Sequence, residues 1–228
     1  MLNICLLSAE LTKYSGEISK GIGETLYMVI ASTLISYIIG LPIGILLSVT
    51  DKDGICPCAP VNSVVGFIVN LLRSVPFIIL LVAIMPFTRF LVGTTIGSTA
   101  TIVPLVVSAF PFVARMVESS IKEVDAGIIE AAESMGTPTF KIITKVLVPE
   151  AKPSLLIGSA IAITTILGYS AMAGFVGGGG LGAIAINYGY YRYNTGVMLV
   201  TVIFLVIIVQ LFQEIGLRAT RITDKRIK

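Results

Sequence analysis

The sequence has no histidine, only three cysteines, and few charged residues for its length of 228. Each shortage excludes something. Without histidine the chain lacks the commonest metal ligand and the side chain best placed for proton transfer near neutral pH. No Cys-x2-Cys pair or carboxylate cluster replaces it, so no metal site is expected. The only carboxylates one helical turn apart are Glu130 and Glu133, on an expected solvent face. No Gly-x4-Gly-Lys-Ser/Thr, Gly-x-Ser-x-Gly or His-Glu-x2-His pattern occurs, so catalysis and a nucleotide site of the chain's own have little support. The cysteines, Cys5, Cys56 and Cys58, are odd in number and include a Cys-Pro-Cys pair, which is no disulfide framework.

The shortage of charge decides the class. Charged residues are 13% of the chain, against about 25% in a soluble domain. The hydrophobic fraction is 55% and the mean hydropathy +0.97. Such a chain cannot cover a water-facing globule. It reads as an all-α integral membrane protein forming one transmembrane domain over 1–228. The net charge of +3 is too mild to suggest nucleic acid.

A spanning helix needs about 20 mostly apolar residues. Charge-poor runs place five spans near 25–50, 63–87, 96–117, 153–173 and 196–213. Gly23-Glu24-Thr25 looks like the start of the first. Gly40, Pro42 and Gly44 suggest a kink in it, as Pro104 and Pro111 do in the third. Arg73 falls inside the second. A charge there faces a bundle interior or reaches an interface, so Arg73 is either a structural anchor or a gating or partner contact. Met1 to Lys20 lacks a positive n-region and does not read as a signal peptide.

Five spans put the termini on opposite sides. Lys52, Arg115, Lys122, Lys141, Lys145, Lys152, Arg218, Arg221, Lys225, Arg226 and Lys228 share one side, eleven cations against Lys13, Lys20, Arg89 and Arg192 on the other. The positive-inside bias makes the first side cytoplasmic and the N-terminus external. Cys56 and Cys58 then lie in a short cytoplasmic loop.

One polar stretch interrupts the apolar chain, at 125–149. Asp125 can cap a helix from Ala126 to Met135. Gly136 suits the left-handed position that ends it. Thr137-Pro138 reads as the N-cap and first residue of a second helix. Ile128, Ile129, Ala132 and Met135 form an apolar face on the first helix, and Phe140, Ile143, Val146 and Leu147 one on the second. Helices shorter than about 12–15 residues are marginal alone, so something must pack on them: the chain's own spans, or a soluble partner taking the hairpin into a groove.

Gly177-x-Gly179-x2-Gly182 matches the dinucleotide fingerprint in letters only. It follows a membrane helix and has no acidic residue about 20 positions later. An outer loop or a re-entrant turn fits better, with Tyr188, Tyr190, Tyr191 and Tyr193 as an interfacial belt.

Glu130-Ala131-Ala132, three residues, Gly136, nine residues, then Val146-x-Val148-Pro149 resembles the EAA loop of type I ABC-importer permeases. Val146 and Val148 depart conservatively from that pattern's Ile and Leu. Arg73 to Leu81, Pro111 to Glu118, Gly168 to Met172 and the glycine run into Tyr190 are similar to the methionine-uptake permeases within that family. The likeness covers about Leu71 to Lys228, and the Cys-Pro-Cys loop is not part of it.

The resemblance implies a non-catalytic transport subunit of the bacterial inner membrane, working as a homodimer. It also implies two copies of a cytoplasmic ABC ATPase, which would hold ATP and Mg2+, and an extracytoplasmic binding protein that delivers methionine. Glu130, Ala131, Ala132, Gly136, Val146 and Pro149 become the coupling residues. Thr164, Thr165, Tyr169 and Met172 on the fourth span either line the pathway, with Met172 as a gate, or simply pack helices. Import of another amino acid or organosulfur compound, and ATP-independent secondary transport, stand as alternatives.

Overall fold

A computed structural model describes residues 12–223. Cys5, Lys225, Arg226 and Lys228 lie outside the described residues. Every regular element among the described residues is helical. Helices α1 (Ser15–Val49), α2 (Ala59–Ser74), α3 (Phe77–Ala83), α4 (Met85–Val92) and α5 (Ser98–Lys122) come first. The polar stretch holds α6 (Ala126–Ser134) and α7 (Thr139–Ile142). The chain then passes through a π turn (Ile143–Leu147) and Val148–Glu150 into α8 (Lys152–Ala173). A 3-10 turn (Gly174–Val176), α9 (Gly180–Ile184), a π turn (Ala185–Tyr190) and α10 (Thr195–Thr223) complete it.

Four helices, α1, α5, α8 and α10, are long and apolar enough to cross a membrane, and the bent pair α2–α3 makes five if it counts as one span. The helices run past the apolar windows. α1 begins at Ser15, so Gly23-Glu24-Thr25 is mid-helix rather than a start. Its early charges are accommodated there: Lys20 pairs with Glu24 at 3.8 Å, and Glu17 accepts a hydrogen bond from the Tyr188 hydroxyl at 3.0 Å. α10 likewise continues to Thr223, with Arg218 bonded to Glu214 on its own helix. Hydrophobicity marks where a helix can meet hydrocarbon. It does not mark where the backbone stops being helical.

The second expected span, 63–87, is not one helix. Val75 is extended (φ −84, ψ 124) and Pro76 caps α3. A proline ring clashes with a helical conformation at the residue before it, and Val75 obeys. Arg73 is thereby on the last turn of α2, exposed, rather than deep within a span. Pro42, Pro104 and Pro111 sit inside unbroken helices.

The chain divides into two compact units, each assembled from separated segments. One holds residues 12–34, 76–107 and 163–212; the other holds 35–75, 108–162 and 213–223. In the second unit α1 packs tightly on α5. A Cβ at Gly44 would overlap the Ala114 carbonyl and Val117, so glycine here sets the separation of two helices. Leu47, Val69 and Ala114 form a small buried cluster joining α1, α2 and α5.

Candidate functional site

The hairpin α6–α7 is built largely from local rules. Asp125 Oδ1 accepts from the Gly127 amide at 2.8 Å and caps α6. At the other end the Gly136 amide donates to Glu133 O at 2.8 Å and the Thr137 amide to Ala132 O at 3.2 Å. This pair of bonds is the Schellman arrangement, which needs a left-handed residue between them. Gly136 supplies it at φ +70. The second helix starts one residue later than the sequence suggests. Pro138 is extended (ψ 144) and is itself the N-cap, with no side-chain cap from Thr137.

Pro149 follows the π turn. A proline removes one N–H and its ring crowds the carbonyl four residues back; widening the preceding turn is one way a helix absorbs this. The Val148 amide accordingly reaches Ile143 O, five residues back.

The two faces of the hairpin differ. Ala132 is 4% exposed, and with Ile142 and Leu147 it joins a core that includes Val113, Val117 and Ile121 of α5. Ile129, Ile143 and Val146 pack against the same core. Burying one such large side chain contributes about 1.5–3 kcal/mol, so these contacts supply the stability that short helices lack. Met135 and Phe140, expected on that face, point the other way: they are 77% and 75% exposed. The Schellman turn at Gly136 and the late start at Thr139 rotate both out of the core register. Ile128, Glu130, Ala131, Glu133 and Pro149 are exposed too.

Opposite α6 lies the loop after α1. It bounds, with the hairpin, a cavity of about 460 Å³ lined by Asp51, Asp53, Lys122, Ile129, Glu130 and Glu133 among others. Charge links this loop to the helices. Lys122 bonds both Asp51 and Glu118, the latter at 2.9 Å. Glu118 also receives Arg115 Nη1 at 2.7 Å. Arg115 donates onward to Asn70 Oδ1 and to Gly66 O, both at 3.1 Å, on α2. The Lys122 ammonium first, then the Lys52 amide, hold the Asp51 carboxyl below the usual carboxylate range against its slight desolvation. In the sequence Arg115 and Lys122 count only toward the charge balance across the membrane. The spacing of Arg115, Glu118 and Lys122 is the signal that could have revealed a ladder on one helix face.

The other candidate residues fall in the first unit. Tyr169 of α8 stacks on Phe77 at 4.6 Å between ring centroids, nearly parallel. Met172 is exposed, and Thr164 and Thr165 are half-buried. Beyond α8 the glycine segment is ordered and tied down. Glu24 Oε2 accepts from the Gly180 amide at 2.7 Å and Thr25 Oγ1 from the Leu181 amide at 2.9 Å, capping α9 from α1. Thr101 Oγ1 donates to Gly178 O at 3.1 Å, and the Gly97 amide to Gly177 O at 2.9 Å. No dinucleotide-binding strand stands beside Gly177-x-Gly179-x2-Gly182 among the described residues.

Residues 40–228 match the model of the binding-protein-dependent transport system inner membrane component. The chain belongs to this family. It is a transport subunit rather than an enzyme. A probable D-methionine transport system permease protein MetI from Vibrio cholerae is 49% identical over 203 residues, 89% of this chain and 90% of the relative. A methionine import system permease protein MetP from Bacillus subtilis is 45% identical over 203 residues, 89% and 91% of the two chains. Among solved structures, an inward-facing MetNI methionine ABC transporter superposes with a TM-score of 0.92 at 47% identity, over 93% of this chain and 99% of that one. An amino acid ABC transporter solved with histidines has a TM-score of 0.78 at 21% identity, a likeness of fold.

Proposed function

We propose that the chain is the permease subunit of an ATP-driven methionine importer, acting as a homodimer with two cytoplasmic ATPase subunits and an extracytoplasmic binding protein. ATP and Mg2+ reside on the ATPase, and the hairpin and C-terminus face the cytoplasm. The observation that supports coupling most directly is the two-faced hairpin. One face is fixed to α5 through Ala132, Ile142 and Leu147, while Met135 and Phe140 stand exposed, as do Glu130 and Glu133. Exposed large apolar side chains rimmed by charge are the makings of a protein contact.

Nucleotide-driven closure of the ATPase pair displaces the two hairpins. Because each hairpin shares a core with its own α5, the displacement passes to that helix instead of being lost in a loose loop. The Asp51–Lys122–Glu118–Arg115 ladder carries it to α2. The pair of permeases then exchanges between two arrangements, and the ATPase's nucleotide state biases which is populated. Tyr169, Thr164 and Thr165 line the pathway, and Met172 narrows it.

Three measurements test this. ATP-dependent uptake of labelled methionine into proteoliposomes should be abolished by omitting ATP or the ATPase. Persistence without them would establish secondary transport, and preferential inhibition by another unlabelled amino acid would reassign the substrate. Replacing Met135 and Phe140 together by aspartate should abolish ATPase co-purification while leaving the heat stability of the permease unchanged. Met172→Ala should loosen the coupling of ATP hydrolysis to uptake, and unchanged coupling would count against a gate.

A further inference from the structure

The Cys-Pro-Cys loop plays no part in the transport reading, yet it touches the coupling hairpin. Cys56 is exposed and Cys58 half-buried, and both are free thiols. One residue separates them, Pro57, whose ring fixes φ and limits the conformations open to the pair. The loop is held in place: the Cys56 amide donates to Val49 O and the Cys58 amide to Thr50 O, each at 3.0 Å, at the end of α1. Gly54 sits so close to Ser48 O and Val49 O that a Cβ there would overlap them. Cys56 Sγ lies 3.8 Å from Thr139 Oγ1, the first residue of α7.

From this placement we infer that Cys56 and Cys58 form a thiol–disulfide exchange site whose reagent is a low-molecular-weight disulfide. The exposed Cys56, as thiolate, attacks one sulfur of the disulfide RSSR. A Cys56–S–S–R bond forms, the R–S–S–R bond breaks, and the released RS− takes up the proton that Cys56 lost. Cys58 then attacks the Cys56 sulfur, closing a Cys56–Cys58 disulfide and releasing a second RSH. In sum, two protein thiols are oxidised and one RSSR is reduced to two RSH. An accessible cysteine beside a second that can resolve the adduct is the arrangement such sites use.

The consequence is mechanical. A mixed disulfide on Cys56 adds bulk at van der Waals distance from Thr139, where α7 begins, and pushes against a hairpin that must keep its register on α5. A closed Cys56–Cys58 bond instead pulls Cys56 away from Thr139 and removes that contact. Either product alters the seat of the hairpin. This effect on transport rests on the coupling role and cytoplasmic placement proposed above, where thiols are kept reduced and oxidation marks a departure from the resting state. The exchange chemistry at the loop does not depend on them.

The test uses the full chain purified with its ATPase in proteoliposomes, carrying Cys5→Ser so that the pair holds this chain's only thiols, with Cys56→Ser in the same complex as the control for thiols on the ATPase. Glutathione disulfide is the probe. Peptide mapping by mass spectrometry should find glutathione on Cys56, followed by a Cys56–Cys58 disulfide, both reversed by dithiothreitol. Cys58→Ser should trap the mixed disulfide, and Cys56→Ser should prevent oxidation while leaving uptake under reducing conditions unchanged. ATP-dependent uptake should fall several-fold on oxidation and return on reduction. Thiols that stay free in glutathione disulfide, or attachment of glutathione to Cys58 alone, overturn the site. A disulfide that forms with no change in uptake overturns its link to the hairpin. Absence of ATP-dependent uptake in the reduced wild type is a failure of the transport reading and leaves the mapped chemistry standing on its own.

Discussion

The hairpin at 125–149 and the glycine segment at 174–190 are both short helices set between long ones, and both end in turns that need glycine. They are stabilised by opposite means. The α6 cap comes from Asp125, two residues from the amide it accepts from, and its terminal glycine, Gly136, has open space around it. The α9 caps come from Glu24 and Thr25, 156 residues away in sequence. There a Cβ on Gly182 would overlap the Ala171 carbonyl and lie 2.7 Å from its Cα. Gly136 in the hairpin answers a backbone angle, as Gly177, Gly179 and Gly180 also do, whereas Gly182 in the glycine segment answers a neighbour's backbone. A sequence can specify the first by itself, whereas the second is set by what arrives from elsewhere.

Substitutions should separate the two uses. The largest effect is expected from Gly182→Ala, because backbone on both sides cannot give way. Overpacking of this kind costs about 3 kcal/mol, read as a strongly lowered unfolding midpoint in detergent and poor yield. Wild-type stability would show that the segment can rearrange and that close approach is not what glycine serves there. Next is Gly136→Val. A β-branched side chain at φ +70 costs about 2 kcal/mol and should diminish both ATPase co-purification and uptake. Gly136→Asn tolerates the left-handed region and should retain most of each, so equal losses in the two variants would rule out the angle as the cause.

Capping gives a smaller contrast. Glu24→Ala leaves the Gly180 amide without its charged acceptor, a loss of about 1.5 kcal/mol. Glu24→Gln keeps a neutral acceptor and should lose less. Asp125→Ala removes an exposed local cap at about 1 kcal/mol, with the change confined to hydrogen exchange in α6. Protection lost in α1 as well would mean that the hairpin is less self-contained than its hydrogen bonds indicate.

The smallest effect is with pH. Asp51 is held below its ordinary pKa by Lys122 and the Lys52 amide. A depressed carboxylate stabilises the folded state above its unfolded pKa, about 3.9, and that contribution disappears as pH falls through the lower folded value. The bond between Asp51 and Lys122 should therefore stay intact down to mildly acidic pH and weaken only below the usual carboxylate range. Asp51→Asn should remove this acid-limb dependence from the thermal midpoint. A dependence that survives belongs to other groups.

How much of this was legible follows the same division. The membrane class, the EAA spacing, the Asp125 cap and the Gly136 turn were readable because each rests on residues within a few positions of one another. The Pro76 break was readable in principle, since a proline constrains the residue before it, but the hydrophobic run across 63–87 masked it. Met135 and Phe140 were placed on the wrong face because helical spacing was continued through a turn that resets it. The outward ends of α1 and α10 were missed because charged residues at a span's edge can remain helical when partners such as Tyr188 or Glu214 take them up.

What the sequence by itself determined is the inventory: apolar runs long enough for spans, one polar hairpin with its own cap and stop, and the family spacing from Glu130 to Pro149. These depend on local backbone preference and composition, and neither needs a partner. Only the tertiary structure decided that Ala132, Ile142 and Leu147 share a core with α5 while Met135 and Phe140 do not. It also decided that Lys122 reaches Asp51, that Glu24 and Thr25 cap α9, and that Cys56 rests against Thr139. Hydrogen bonds and packing act over a few ångströms in space regardless of separation in sequence, so contacts between distant segments exist only once the chain has brought them together.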